Sequence, residues 1–179
     1  MKPAPLCLAL ALSAPLANAQ EVPAASEAPA HRLTVYARSG LGVYLSQART
    51  LGGVGGGFGV RDTLDERFIL QADASYLMAL GNALEVRVGA GLQRRGTYTP
   101  AVLLVLSGLM GSGLRFFTPE HPSPVEGPAL ALGLQLAPLR FTHEGMQFSL
   151  LELGVGVGSD LPGTGVAWHV GLLEVGTSF

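Results

Sequence analysis

The sequence has almost no cysteine and almost no lysine. Its single cysteine is Cys7, close to the N-terminus, so no disulfide can form within the chain and non-covalent contacts must hold the fold together. The single lysine is Lys2, and the other ten basic residues are arginines, against thirteen acidic residues. With a formal net charge of −2 the chain has no basic excess, so nucleic acid is not predicted as a partner.

Charged residues of either sign are also scarce. They make up 13% of the chain, against about 25% in an ordinary soluble domain, and the mean hydropathy is +0.39. Nevertheless, no segment shows the roughly 20 predominantly apolar residues of a transmembrane helix. The uncharged segment Gly96 to Leu114 is the one candidate for such a helix, but its apolar run stops at Ser107-Gly108. A hydrophobic chain without such a helix favours a closed β-barrel, the other architecture that satisfies every backbone group in lipid.

The N-terminus has the pattern of a secretory signal peptide. Met1-Lys2 is positively charged, Leu6 to Leu16 is mostly apolar, and Ala17-Asn18-Ala19 forms a small-residue cleavage site before Gln20. Residues 1–19 are therefore predicted to be removed on export.

Two other interpretations of this segment are less favoured. A transmembrane anchor needs about 17–25 apolar residues, whereas this run is shorter and contains Pro15. A lipid-modified cysteine would follow the apolar stretch, whereas Cys7 precedes most of it. Residues 20–30, rich in Ala, Pro and Glu, are predicted to be a flexible periplasmic lead-in to a single domain over residues 31–179.

The first half of that domain alternates apolar and polar or glycine residues, as membrane strands do, because successive side chains point to opposite faces. Four segments are each long enough for the 9–11 residues of a tilted membrane strand. The apolar, outward positions are Leu33, Val35, Ala37, Leu41, Val43 and Leu45; Val54, Phe58 and Val60; Phe68, Leu70, Ala72, Ala74, Tyr76 and Met78; and Leu84, Val86, Val88, Ala90 and Leu92.

The second half predicts four more strands. The fifth lies within Ala101 to Phe117, apolar on both faces except near its end, where Leu114 and Phe116 are phased outward. The sixth covers Leu130 to Leu136 and the seventh Leu151 to Val157. The eighth runs from about Gly165 to Phe179, and a change of phase within it predicts a β-bulge near Leu172.

Turn-forming residues separate these segments, at Gly81-Asn82, Arg95-Gly96, Glu144-Gly145 and Asp160 to Gly163. The one long connection, Thr118 to Pro128, contains Pro119, Pro122 and Pro124 and so cannot be the interior of a strand. Counted from a periplasmic N-terminus, it is predicted to be an extracellular loop.

The fold class predicted is therefore all-β: a closed antiparallel transmembrane β-barrel of eight strands. The chain from about Arg32 to Phe179 resembles the small eight-stranded outer-membrane barrels of the OmpA and OmpX type, most specifically in its last strand, Leu173 to Phe179, with alternating hydrophobic residues and a terminal phenylalanine. The resemblance implies the outer membrane as the location and its lipid as a partner. It also implies that Phe179 is an assembly signal recognised by the barrel-assembly machinery.

The inward faces of the predicted strands carry charges of both signs. Eight strands enclose just enough room for side chains, and a charge buried alone is strongly unfavourable. We therefore expect these charges to pair with one another and to plug the lumen. The predicted network contains Arg38, Arg61, Arg87, Arg115, Asp73, Glu85, Glu152 and Glu174.

Several functions are compatible with such a barrel. A structural or surface-interaction role, with an unknown surface partner, is favoured, and a narrow channel for ions or small solutes is the alternative. A soluble barrel of the lipocalin type is disfavoured, because its outside should be polar and its inside apolar.

A lipid-modifying enzyme is less favoured. His169, Ser149 and Glu174 lie on the last two strands, but their spacing is not diagnostic of a catalytic triad, and Ser149 is phased outward. No metal site or cofactor is predicted, because His31, His121 and His143 fall at strand ends and in loops without a metal-binding motif.

Overall fold

The computed structural model describes residues 31–113, 127–160 and 163–179. The predicted signal peptide and lead-in, and nearly all of the predicted extracellular loop, lie outside these residues. None of the described residues forms a helix that is long and apolar enough to cross a membrane. The described strands are β1 (His31–Ser46), β2 (Thr50–Leu64), β3 (Phe68–Ala79), β4 (Gly81–Gln93), β5 (Ala101–Gly113), β6 (Ala129–Ala137), β7 (Arg140–His143), β8 (Met146–Ser149), β9 (Glu152–Ser159) and β10 (Thr164–Ser178).

Eight of these strands form a closed antiparallel ring. The order is β1-β2-β3-β4-β5-β6-β9-β10, and β10 pairs back onto β1, for example Thr34 with Ser178 and Leu45 with Val166. The ring confirms the all-β part of the prediction and its eight strands.

The short strands β7 and β8 do not add a ninth and a tenth strand to the ring, but continue strands that already belong to it. β8 continues along β10 beyond the end of β9, with Ser149 opposite Glu174 and Glu152 opposite Gly171. β7 pairs with β8, and Phe141 bridges to Tyr98, just before β5. The predicted sixth and seventh strands are therefore each longer than expected, and each is interrupted once.

The two faces of the ring follow the predicted alternation. Outward side chains are apolar and exposed, among them Phe58 (74% exposed) and Val157 (71%). Inward positions on the same strands are buried and mostly polar, such as Thr34 and Arg38 on β1 and Gln71 and Asp73 on β3.

The structure fixes the phase of β5, which its sequence left open. Leu103, Val105 and Leu109 point inward and are buried, whereas Leu104 and Leu106 are exposed on the outside. The interior is apolar here because these side chains pack on others of their kind, in one case Ile69, Ala101 and Ala137. The alternative of a helix in this segment is wrong.

The β-bulge was predicted at the correct residue, whereas one of the turns was not. Leu172 is skipped in the β1–β10 register, where Ser39 pairs with Leu173 and Gly40 with Gly171, so the β-bulge is where the phase change predicted it. The β3–β4 turn lies at Leu80, not at the predicted Gly81-Asn82, which begin β4. Glu144 and Gly145 form the β7–β8 turn with φ angles of 46° and 80°, a left-handed pair that suits a two-residue hairpin.

The ring has two distinct ends. At the terminal end lie His31, Phe179 and the connections β2–β3, β4–β5 and β7–β8. At the opposite end, called here the loop end, lie the connections β1–β2 and β3–β4, the last residues of β5 and β9, and the first residues of β6 and β10.

Candidate functional site

The interior of the ring concentrates the charges of the described residues. Ten ionisable side chains that are fully charged at neutral pH in water are buried there, five of each sign. They are Arg38, Arg49, Arg61, Arg87, Arg140, Asp73, Asp160, Glu85, Glu152 and Glu174.

Asp73 on β3 joins three neighbouring side chains. The strand register places it opposite Arg87, whose Nε and Nη2 donate to its two oxygens at 2.8 and 3.0 Å. Arg38 Nη1 donates to the same carboxylate at 3.1 Å, and the Tyr36 hydroxyl donates at 3.1 Å. A single carboxylate is thus shared by two guanidinium groups, a charge-assisted arrangement stronger than neutral hydrogen bonds.

Glu152 on β9 continues this chain of charges. Its Oε1 accepts from Arg140 Nη2 at 2.7 Å, and its Oε2 accepts from Gln135 Nε2 at 2.9 Å and lies 3.8 Å from Arg38 Nη2. The order across the interior is therefore Arg87, Asp73, Arg38, Glu152, Arg140. We call these five residues the central chain; it contains three cations and two anions.

Arg61 and Glu174 form a second ion pair nearer the terminal end. The guanidinium donates from Nη1 and Nη2 to the two carboxylate oxygens at 2.7 and 2.9 Å, a bidentate geometry. Gln71 Oε1 accepts from the same guanidinium, whose centre lies 4.6 Å from the Tyr36 ring. A Cβ at Gly59 would come within 2.4 Å of that ring, so glycine leaves the room that Tyr36 occupies.

Glu85 is the exception among the predicted network residues. It is 5% exposed, yet no ion pair or hydrogen bond joins it to another described residue. Its strand partners are Ser75 and Leu109, and the buried Oγ of Ser75 also has no hydrogen-bond partner in residues 31–113, 127–160 and 163–179. The prediction that Glu85 belongs to the ion-pair network therefore does not match the contacts within the described residues.

A small cavity lies beside Glu85. Its volume is about 40 Å³, and its polar lining residues are Glu85, Arg87, Ser107, Gln135 and His169. The space exists because the inner positions of four adjacent strands there are small: Ser107 on β5, Ala131 and Gly133 on β6, Gly154 and Gly156 on β9, and Ala167 on β10.

The loop end of the interior is closed by apolar packing. Tyr44, Leu51, Leu77, Ala83, Leu109 and Ala129 form one buried cluster, called here the apolar plug. Beyond it, Arg49 Nε lies 3.4 Å from Asp160, which also accepts a 2.6 Å hydrogen bond from Ser46.

The residues of the enzymatic alternative do not assemble into a triad. Ser149 faces inward, not outward as phased, and it lies opposite Glu174. However, Glu174 is bound to Arg61, and neither Ser149 Oγ nor His169 Nδ1 has a hydrogen-bond partner within the described part of the chain. Among the described residues no group of three or more His, Cys, Asp and Glu side chains could hold a metal ion. His31 pairs with Asp62 at the surface and His143 lies beside Glu144, while His121 is outside the described residues.

Arg115 of the predicted network lies outside the described residues, and three members of the charged interior were not predicted. Arg140 follows the interruption at Pro138-Leu139, which shifts the inward phase by one residue. Arg49 and Asp160 flank strand ends, where alternation gives no signal. A bulge allowed at Pro138, by analogy with Leu172, would have placed Arg140 inside.

Compared with known proteins, the chain matches no protein-family model, no curated protein and no solved structure.

Proposed function

We propose that this protein is an integral outer-membrane β-barrel with a structural or surface-interaction role, its lumen plugged by arginine–carboxylate ion pairs. The observation that carries this proposal is the inversion of the two faces. Apolar side chains surround the outside of the ring, while five arginines and five acids are buried inside it.

A ring with an apolar outside and a charged inside is expected in a lipid bilayer and not in water. Large exposed apolar patches are rare on soluble monomers, whereas a closed ring with an apolar outside leaves no backbone edge unsatisfied in a bilayer. The exposed side chains of β6, Leu130, Leu132, Leu134 and Leu136, and their neighbours Val155 and Val157 on β9, make this surface continuous over adjacent strands.

The test uses two arginine substitutions on the outer face. Val88 lies in the middle of β4 and Leu33 near the terminal end of β1, and both are 48% exposed. In a bilayer, Val88→Arg should lower the free energy of unfolding by about 2–4 kcal/mol and Leu33→Arg by about 0–1 kcal/mol, because the cost of a charge depends on its depth. Unfolding by urea from lipid vesicles gives both values.

Equal losses in the two variants would contradict membrane insertion, because two exposed positions in water have no depth to distinguish them. Fractionation of cells, with gel mobility before and after boiling, supplies an independent measurement. We expect the unmodified protein in the outer-membrane fraction, with a mobility that changes on heating.

A narrow channel is the second candidate, and the polar cavity beside Glu85 is the observation that favours it. Planar-bilayer conductance separates the two functions. If the ion pairs and the apolar plug together close the lumen, conductance should be low for the unmodified protein and should rise when Arg87→Ala is combined with Leu77→Ala, because Arg87 belongs to the central chain and Leu77 to the apolar plug. Steady conductance of the unmodified protein that this double substitution leaves unchanged would favour the channel and contradict a closed lumen.

The proposed partner in assembly is the barrel-assembly machinery, through the last strand. Phe179 is 78% exposed, and its backbone N–H donates to Leu33 O at 2.8 Å. Deletion of Phe179 should therefore reduce the amount of folded protein in cells far more than Phe141→Ala, which truncates another outward phenylalanine at the terminal end. Equal amounts of folded protein from both variants would contradict a role in recognition.

A further inference from the structure

The unpaired polar groups beside the cavity have complementary hydrogen-bonding needs. His169 lines the cavity, and Arg38 Nη2 lies within hydrogen-bond distance of His169 Nε2. A guanidinium nitrogen can only donate, so Nε2 must accept. The neutral imidazole then carries its proton on Nδ1.

This tautomer leaves a buried donor without an acceptor, because Nδ1 has no hydrogen-bond partner among the residues that the structure describes. Glu85 has the opposite need. Its carboxylate only accepts when ionised, and no donor among the described residues reaches it. Leaving either group unsatisfied in the interior costs free energy, more for the charged one.

The charge count favours the ionised form of Glu85. The central chain has three arginines and two carboxylates, so one further negative charge in its neighbourhood balances it. An ionised Glu85 supplies that charge without touching any of the three guanidinium groups, and something else must then donate hydrogen bonds to it.

We propose that the cavity is a binding site for water, in which a small hydrogen-bonded cluster accepts from His169 Nδ1–H and donates to the Glu85 carboxylate. Water is the occupant that meets both needs. A bare cation cannot accept from an N–H group, and a simple anion cannot donate to a carboxylate. The cavity volume of about 40 Å³ exceeds the roughly 10–15 Å³ that one water requires.

If the cavity holds water, the interior of the ring contains a hydrated layer between two layers of side chains without water. The central chain lies toward the terminal end and the apolar plug toward the loop end, with Glu85 and His169 between them. This inference depends on the interior of the ring and not on membrane insertion, so it stands or fails separately from the proposed function.

The first test is a high-resolution crystal structure of the refolded protein, with separate crystals soaked in rubidium and bromide salts. We expect solvent density within hydrogen-bond distance of both Glu85 and His169, and no anomalous signal from either ion in the cavity. A rubidium peak in the cavity would show a cation site, and a bromide peak would show an anion site. Either peak, or a cavity without any density, would overturn the proposal.

The second test does not need crystals. Nitrogen-15 chemical shifts of the histidine rings, measured in detergent micelles, distinguish the two neutral tautomers, and the proposal requires His169 to be protonated on Nδ1. An Nε2-protonated or doubly protonated ring contradicts it.

Two variants test whether His169 and Glu85 are the residues that bind the water. His169→Phe should remove the bridging density, and Glu85→Gln should retain it, since an amide also accepts. His143→Phe is the matched control, because His143 is exposed at the β7–β8 turn, and it should leave the cavity unchanged. Retention of the same density in His169→Phe would show that the imidazole does not bind the solvent.

Discussion

The two ends of the ring interior are filled in different ways. Toward the terminal end the filling is a charged network of ion pairs, formed by Arg61 with Glu174 and by the central chain. Toward the loop end it is the apolar plug, in which Tyr44, Leu51 and Leu77 belong to one buried hydrophobic cluster. The charged network depends on the pairing of specific groups, whereas the apolar plug depends on volume, so the two regions should respond to different substitutions.

The largest effect is expected at Asp73, since it holds Arg38, Arg87 and Tyr36 together. Asp73→Asn keeps the shape but leaves two buried guanidinium groups short of one negative charge. We expect the free energy of unfolding to fall by about 3–5 kcal/mol, measured by urea titration of the refolded protein.

The matched control is Asp62→Asn, because Asp62 pairs with the exposed His31 at 3.1 Å on the surface. That exposed pair should contribute about 0–1 kcal/mol. If both variants lose the same small amount, the interior charges are solvated and the distinction between the two regions fails.

The apolar plug should show a somewhat smaller effect that depends on volume alone. Leu77 is buried in this cluster, so Leu77→Ala should cost about 2–5 kcal/mol, through lost contacts and the cavity left behind. Leu70→Ala, on the outward face of the same strand, should cost clearly less. Partial recovery with Leu77→Met, and none with Leu77→Asn, would show that volume and not polarity fills this end.

Arg87 should matter less than Asp73, although the two form one ion pair. After Arg87→Ala, Asp73 still accepts from Arg38 and Tyr36, so the expected loss is about 1–3 kcal/mol. The exposed Arg67→Ala is the control and should be near neutral. A loss larger than that of Asp73→Asn would mean that Asp73 is not the shared partner in the network.

The smallest effect is expected beyond the apolar plug, at the loop end. Ser46 Oγ donates to Asp160 at 2.6 Å and accepts from the backbone N–H of Arg49 at 3.2 Å. Ser46→Ala should cost about 0.5–1.5 kcal/mol, whereas Ser39→Ala, exposed on the outer face, should be neutral. A loss comparable to that of Leu77→Ala would mean that polar contacts, and not the plug, stabilise this end.

Alternation in the sequence was enough to predict β1 to β4, because one face there is apolar and the other polar or glycine. It left β5 without a phase, since Leu103 and Val105 fill the interior with the same kind of side chain that Leu104 and Leu106 present outside. The pattern reports a difference between faces, and none exists where both are apolar.

The charged site could be predicted in part for the same reason. Alternation identified Arg38, Asp73 and Arg87 as inward, but their partners depend on which strands become neighbours. Arg140 reaches Glu152 only after the chain turns at Pro138-Leu139. Glu85 shows this most clearly, because alternation predicts its inward position but not that none of the described residues forms an ion pair with it.

The ion pair between Arg61 and Glu174 has a kinetic consequence. Arg61 is on β2 and Glu174 on β10, and both strands flank β1, so the pair spans the place where the first and last strands join. Neighbours elsewhere in the ring follow each other along the chain, apart from the inserted β7–β8 hairpin, and can form as local hairpins. The β1–β10 contact closes the longest loop and bears the largest entropic cost. Until it forms, β1 and β10 expose edges open to pairing with other chains.

Arg61 and Glu174 meet only after the ring has closed, so their contact forms after the transition state of folding. Loss of this contact should therefore accelerate unfolding and leave the folding rate nearly unchanged.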